Sequence, residues 1–199
     1  PLPPSVTLNG VAHEWQKWNN CGPATLAMGL SYWGWKGDQV DTASYLKPDP
    51  KDANVMPYEM EAFVEERSGL KALSRVGGDL DTLKRLIASG FPVIVEKGFW
   101  VSAEKGWMGH YTLLVGYDDN RQAFLSQDSY EGPDYLRDYD QLFADWRAFD
   151  YLFIVLYPPE REAEVLSLLG QLADEYAAAQ LAADRARQET ANSEGQALA

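Results

Sequence analysis

Cysteine is nearly missing: Cys21 stands alone among 199 residues. One thiol excludes an internal disulfide and any zinc site built on two or more thiolates. Histidine is almost as scarce, with His13 and His110 only, and no HxxxH, HxH or CxxC spacing gathers ligands for a metal. No metal and no other cofactor is therefore expected, and no glycine-rich phosphate loop is present. Basic residues are few, 17 against 30 acidic ones, for a net charge of −13. That excludes the basic stripe of a nucleic-acid binder and attraction to an anionic membrane surface. No apolar run approaches the roughly 18–20 residues of a membrane span. The first residue is Pro1 rather than Met, which reads as a truncation or as a mature end left after a removed segment.

What is there is an ordinary globular mixture, 46% hydrophobic and 24% charged, at a length of about one domain. Apolar spacing predicts helices over 22–34, 38–46, 57–67 and 79–89, the third opened by Pro57, the last stopped by Gly90. The period then changes. Residues 91–100, 110–119, 123–129 and 150–157 are β-branched or aromatic runs bounded by turn residues, with a hairpin at Asp119-Asn120. A further helix is expected over 138–147. Helices first and strands afterwards favour an α+β fold, with N-terminal helices packed on an antiparallel sheet. Composition changes at Pro158-Pro159, beyond which Ala, Leu, Glu and Gln dominate. The expected division is a domain at 1–159 and a helical extension at 160–199, separable from it. Tyr176, Ala179, Ala183 and Ala186 in that extension repeat the small-residue spacing of a tetratricopeptide-type helix. The alternative is an amphipathic helix packed on the domain.

Cys21 directly precedes a predicted helix with Pro23 in its first turn. Unpaired backbone N–H groups and the positive end of the helix dipole favour a thiolate there. Gly22 would let a substrate backbone approach. A buried structural cysteine is the competing reading.

The surrounding residues carry a resemblance. Gln16 followed at Cys21 by Cys-Gly-Pro-Ala, GHYTLLVGYDD at 109–119 with His110 near its start, and FLSQDSY at 124–130 with Asp128 are similar to motifs of papain-like cysteine peptidases. The likeness is closest to the double-glycine leader peptidases and their stand-alone bacterial relatives, and it covers about residues 10–158. No transporter segment follows, so an export role is not carried over. The resemblance implies Cys21 as nucleophile, His110 as base and Asp128 as its orienter. It also implies an oxyanion hole from the Gln16 amide and the Cys21 backbone N–H. His13 is the rival base, and Asp118, Asp119 and Asp134 are rivals of Asp128. Asp128 alternates with Phe124 and Ser126 and so shares their face.

Those residue types suit amide hydrolysis: a thiolate attacks the carbonyl, histidine moves the proton, a carboxylate fixes the imidazole, and fixed donors hold the oxyanion. The expected substrate is a peptide or protein. Trp18, Gly22, Trp107 and Gly109 are expected to edge its groove, and residues 98–109 to form a lid or specificity loop. Two other readings stay open: a non-catalytic module that captures peptide or cell-wall material, and other amide chemistry on the same triad. The C-terminal helix would offer a surface to a protein partner, and the resemblance suggests a location outside the cytoplasm.

Overall fold

The structure is a computed structural model and describes residues 1–49, 54–104 and 106–197. The last two residues of the expected extension, and Lys105 of the expected lid, lie outside the described residues. The chain runs β1 (Ser5–Thr7), α1 (Cys21–Tyr32), α2 (Gln39–Leu46), α3 (Pro57–Arg67), β2 (Lys71–Arg75), α4 (Leu80–Ala88), β3 (Val93–Ser102), β4 (Gly106–Asp118), β5 (Ala123–Asp128), β6 (Gly132–Asp138), α5 (Tyr139–Trp146), β7 (Phe153–Tyr157), α6 (Glu162–Leu169) and α7 (Glu175–Ala197). Among the described residues no helix is long and apolar enough to cross a membrane.

Local chemistry sets the helix starts. Asp38, Asp79 and Asp138 accept backbone N–H bonds at the N-termini of α2, α4 and α5. Pro57 opens α3, where the Glu59 carboxylate returns to the Met56 N–H at 2.7 Å. The helix α1 differs: Asn20 makes no side-chain cap, and no acidic residue stands in the first turn.

The strands form one antiparallel sheet in the order β2-β7-β3-β4-β5-β6, with β1 added to β4. Alternation along each strand divides the core. Ile94, Leu113, Ile154 and Leu156 pack under α1 and α3. Val93, Val95, Leu114, Phe153 and Val155 face the other way, toward α4, α5 and α6. Gly29 lets α1 lie close on the sheet, since a Cβ there would come within 2.8 Å of Leu156 Cδ1.

Three differences from the sequence reading matter. The short strands β1, β2 and β6 were not expected; they are partly exposed and lack a long apolar run to announce them. The expected loop at 98–109 is instead a protruding hairpin, in which Gly98 pairs with Gly109, Phe99 with Met108 and Trp100 with Trp107. The Trp107 ring covers Gly98 and the Trp100 ring lies over Gly106, so aromatic side chains cover glycines that would otherwise weaken the ladder.

The third difference concerns the C-terminus. The helix breaks at Gly170, whose φ is +56°, into α6 and α7. Val165, Leu169, Leu172 and Ala178 join the same core cluster as Leu83, Leu86 and Phe153. Arg75 and Arg85 donate to the Ala173 and Leu168 carbonyls. The change of composition at Pro158 is thus crossed by a continuous apolar core. On α7 it is Ala178 and Ala182 that are buried, while Tyr176, Ala179, Ala183 and Ala186 face solvent.

Candidate active site

Cys21 is the first residue of α1, partly exposed, at a helix start whose N–H groups have no side-chain cap. The Thr25 hydroxyl, one turn on, donates to the Tyr111 carbonyl at 3.1 Å. That bond ties the first turn of α1 to β4 and sets Cys21 beside His110. His110 is 3% exposed, and Asp128 on β5 is fully buried.

The imidazole bridges the two. His110 Nε2 lies 2.9 Å from Asp128 Oδ1, and the ring also hydrogen-bonds the Cys21 thiol. With Nε2 committed to a carboxylate it carries the proton, which leaves Nδ1 as the nitrogen facing Sγ. Burial would raise the Cys21 pKa, but the hydrogen bond and charge of His110 and the Tyr111 and Gly22 N–H groups outweigh it and lower it. Burial would likewise lower His110, and its bonds to Asp128 and Cys21 raise it instead. Both shifts favour a thiolate–imidazolium pair.

The family follows from the sequence match that accompanies this geometry. A model of the Peptidase_C39 like family matches residues 8–153. The chain belongs to that family. It is a cysteine-type peptidase with a papain-like α+β fold. Solved structures with the same fold include a C39-like peptidase from Bacillus anthracis, 18% identical, with a TM-score of 0.62 over 76% of this chain and 96% of that one. A double glycine motif protease from an AMS/PCAT transporter, in complex with the leader peptide, matches at 17% identity and TM-score 0.57 over 77% and 94%. Xylellain, a cysteine protease from Xylella fastidiosa, matches at 16% and 0.56 over 79% and 87%. No curated protein gives a significant sequence match.

Around the C39-type core, Gln16 is held at both ends. Its backbone N–H donates to the Ser129 carbonyl at 2.9 Å, and its side-chain Oε1 accepts from the Ser129 hydroxyl at 2.9 Å. The amide NH2 end is thereby turned away from Ser129. Ser129 follows Asp128 directly, so one short segment holds both the carboxylate and the amide.

The expected groove residues separate. Trp18 is 87% exposed. Trp107 is half exposed and stacks on Phe149 at 5.9 Å, lying over bare Gly98. Gly109 is exposed on β4, next to His110. Gly22 is buried, its α-carbon facing Val55 and Met60, so it serves helix packing and not a surface groove. His13 stands edge-on to Trp15, 5.3 Å between ring centroids, and Cys21 takes its imidazole bond from His110. Asp118 and Asp119 lie at the β4–β5 turn, bound to Arg121 and Lys84. Asp134 accepts from the Gln127 amide.

Sequence reading missed the cations. Arg137 on β6 donates to Asp128 Oδ2, while Oδ1 also accepts the Tyr130 and Glu131 N–H groups, each at 2.9 Å. Burial would raise the Asp128 pKa; His110, Arg137 and the Glu131 N–H together hold it well below the usual carboxylate range. Lys97 on β3 is buried opposite His110. A single Arg or Lys within a strand carries no local signal; only the register of β3, β4, β5 and β6 reveals these two.

Proposed function

We propose that this peptidase cleaves peptide bonds through a Cys21 thiolate, with His110 as general base and acid and Asp128 as the group that fixes the imidazole. The observation that carries the reading is the single imidazole bonded to a helix-start thiol on one side and to a buried carboxylate on the other. His110 Nδ1 takes the thiol proton, and Sγ attacks the substrate carbonyl carbon. The tetrahedral oxyanion sits between the Cys21 backbone N–H and the Gln16 amide. The imidazolium then gives its proton to the leaving amine, and an acyl-enzyme remains on Sγ. Water, deprotonated by His110, attacks the thioester carbonyl, frees the carboxylic acid and restores the thiol. Gly109, exposed beside His110, borders the bound peptide, and the exposed Trp18 and Trp107 rings are offered to its more distant side chains, outside the cytoplasm of a bacterial cell.

Two measurements test this. Iodoacetamide should alkylate Cys21 of the folded protein quickly near pH 6, well below the pKa of about 8.5 of a free thiol. His110→Ala should slow that reaction at pH 6 far more than at pH 9. Because Cys21 is the sole cysteine, the mass shift reports one site. A peptide library should then be cleaved by the native protein and not by Cys21→Ala. Labelling only after denaturation, or no cleavage by an enzyme with a reactive thiol, would remove the nucleophile or the peptidase chemistry respectively.

A further inference from the structure

Lys97 has no part in that reaction sequence, yet it is buried beside it, 2% exposed. In the β3–β4 pair it lies directly opposite His110, so both side chains leave the same face of the sheet. Directly opposed residues keep their Cβ atoms within about 4.5–5.5 Å. The Lys97 ammonium stands 4.5 Å above the Phe99 ring, and that ring meets His110 edge-on at 5.3 Å. The charged groups that face it come from four elements: Arg137 on β6, Asp128 on β5, Glu131 in the turn after β5, and Asp145 on α5. His110 lies across the strand pair on β4, with Asp128 and Cys21 bonded to it, and the Tyr130 ring in the turn after β5 meets both Phe99 and His110, at 5.8 and 6.4 Å between centroids.

We propose that Lys97 is a positioning residue for the reaction: buried directly across the strand pair from His110, its positive charge joins that of Arg137 in opposing Asp128 and limits how tightly that carboxylate holds a proton on His110. The proposal rests on His110 as the base, and it addresses how that base is tuned. A buried carboxylate facing only an imidazole would stabilise imidazolium strongly. A histidine held in that form is a poor proton donor to a leaving amine, because acid–base catalysis works best with a pKa near the operating pH. A second buried cation on the same face counters this. At an effective dielectric constant of about 20, two like charges roughly 7 Å apart shift each other's titration by about one pH unit or more.

The cation is itself titratable. Burial and the Arg137 charge bring Lys97 down to about 8, against the opposing pull of Asp128, Glu131 and Asp145. When Lys97 loses its proton, His110 becomes more basic, so the two groups release protons in competition.

Histidine NMR reads this directly, since the chain has only two histidines. Ring-labelled protein is titrated in a Cys21→Ser background, which removes the thiol, and His13→Asn identifies the remaining resonance as His110. The His110 shift should show a second inflection near pH 8. Lys97→Met and Lys97→Gln should abolish that inflection and raise the His110 pKa by about one unit. Lys97→Arg should abolish the inflection and keep the pKa near its starting value, because the charge stays. A single inflection, with the Met and Gln variants within about 0.2 unit of the parent, would overturn the proposal. Should neither variant fold, the second inflection in the parent decides alone. The catalytic reading is tested separately: restoring Cys21 should raise the His110 pKa, and failure there would strike the thiol–imidazole pair and leave the Lys97 result standing.

Discussion

Asp128 gives one carboxylate oxygen to His110 and the other to Arg137. The carboxylate is therefore fixed in the plane that aims Oδ1 at the imidazole, and its charge is matched from the side away from the thiol. Two backbone N–H groups on Oδ1 complete the cradle. A rigid, ionised acceptor keeps the imidazole in one tautomer, with Nδ1 open to the sulfur.

Arg137→Met should cost about 3–5 kcal/mol, because it strands a fully buried carboxylate. Urea unfolding measures it. Arg137→Lys should recover part of the loss, as a point charge without the guanidinium fork. The pH dependence has a definite sign. Asp128 is held below its unfolded value of about 3.9, so its contribution is present above that pH and fades as pH falls toward the depressed native value. Without Arg137 the native value rises, and the midpoint of acid unfolding, followed by circular dichroism, should move to higher pH. An unchanged acid midpoint would mean that His110 and the two N–H groups hold the charge without Arg137.

Much of this arrangement was legible before any coordinates. Cys21 at a helix start and Asp128 at a strand end sit in local patterns that a linear reading can register, whereas Gln16 and the pairing with His110 came from the family resemblance, and β4 begins four residues before His110 instead of at it. Asp128 was separable from Asp118 and Asp119 because alternation with Phe124 and Ser126 put it on a buried face. What escaped were residues defined by partners far along the chain. Arg137 and Lys97 matter through strand register, and Gly22 looked like groove lining because its neighbours Val55 and Met60 are more than thirty positions away. The hairpin at 98–109 was hidden by its glycines, and its strand character comes from pairs such as Trp100 with Trp107.

Asp128→Asn should lower turnover of the folded protein by more than about tenfold, and it should also lower stability, because buried Arg137 keeps Glu131 but loses Asp128. A neutral amide no longer supports the imidazolium, and an amide N–H facing Nε2 would drive the imidazole proton to Nδ1, where it opposes the thiol. Asp118→Asn should change turnover little, since Asp118 serves only the turn, through Arg121 and the Asn120 N–H. Steady-state kinetics on one cleaved peptide compares them; the reverse ranking would move the orienting role to the hairpin turn.

Gln16→Ala separates oxyanion stabilisation from thiol activation. Loss of one such donor commonly costs about 2.7–4 kcal/mol in the transition state, or about 10²–10³ in turnover. Alkylation of Cys21 by iodoacetamide passes through no oxyanion, so its rate at pH 6 should stay within about twofold. If alkylation fell as far as turnover, Gln16 would be supporting the position of the thiol, through its bond to Ser129, instead of binding the oxyanion.

The last prediction concerns residues 160–199. Their composition suggested a removable appendage, but Val165, Leu169 and Leu172 fill the core over Leu83, Leu86 and Phe153. Burying such side chains is worth roughly 1.5–3 kcal/mol each. Three of them approach the whole stability of an ordinary domain, about 5–15 kcal/mol. A protein ending at residue 159 should therefore show a markedly lower urea midpoint, bind a hydrophobic dye and tend to aggregate. The nucleophile need not be lost in the surviving native fraction, because α1 and the Thr25–Tyr111 bond lie on the opposite face of the sheet. Leu169→Ala in the full chain should reproduce part of the effect, about 2–5 kcal/mol, without removing any chain. An undiminished midpoint for 1–159 would show that α6 and α7 rest on a core that is already complete without them.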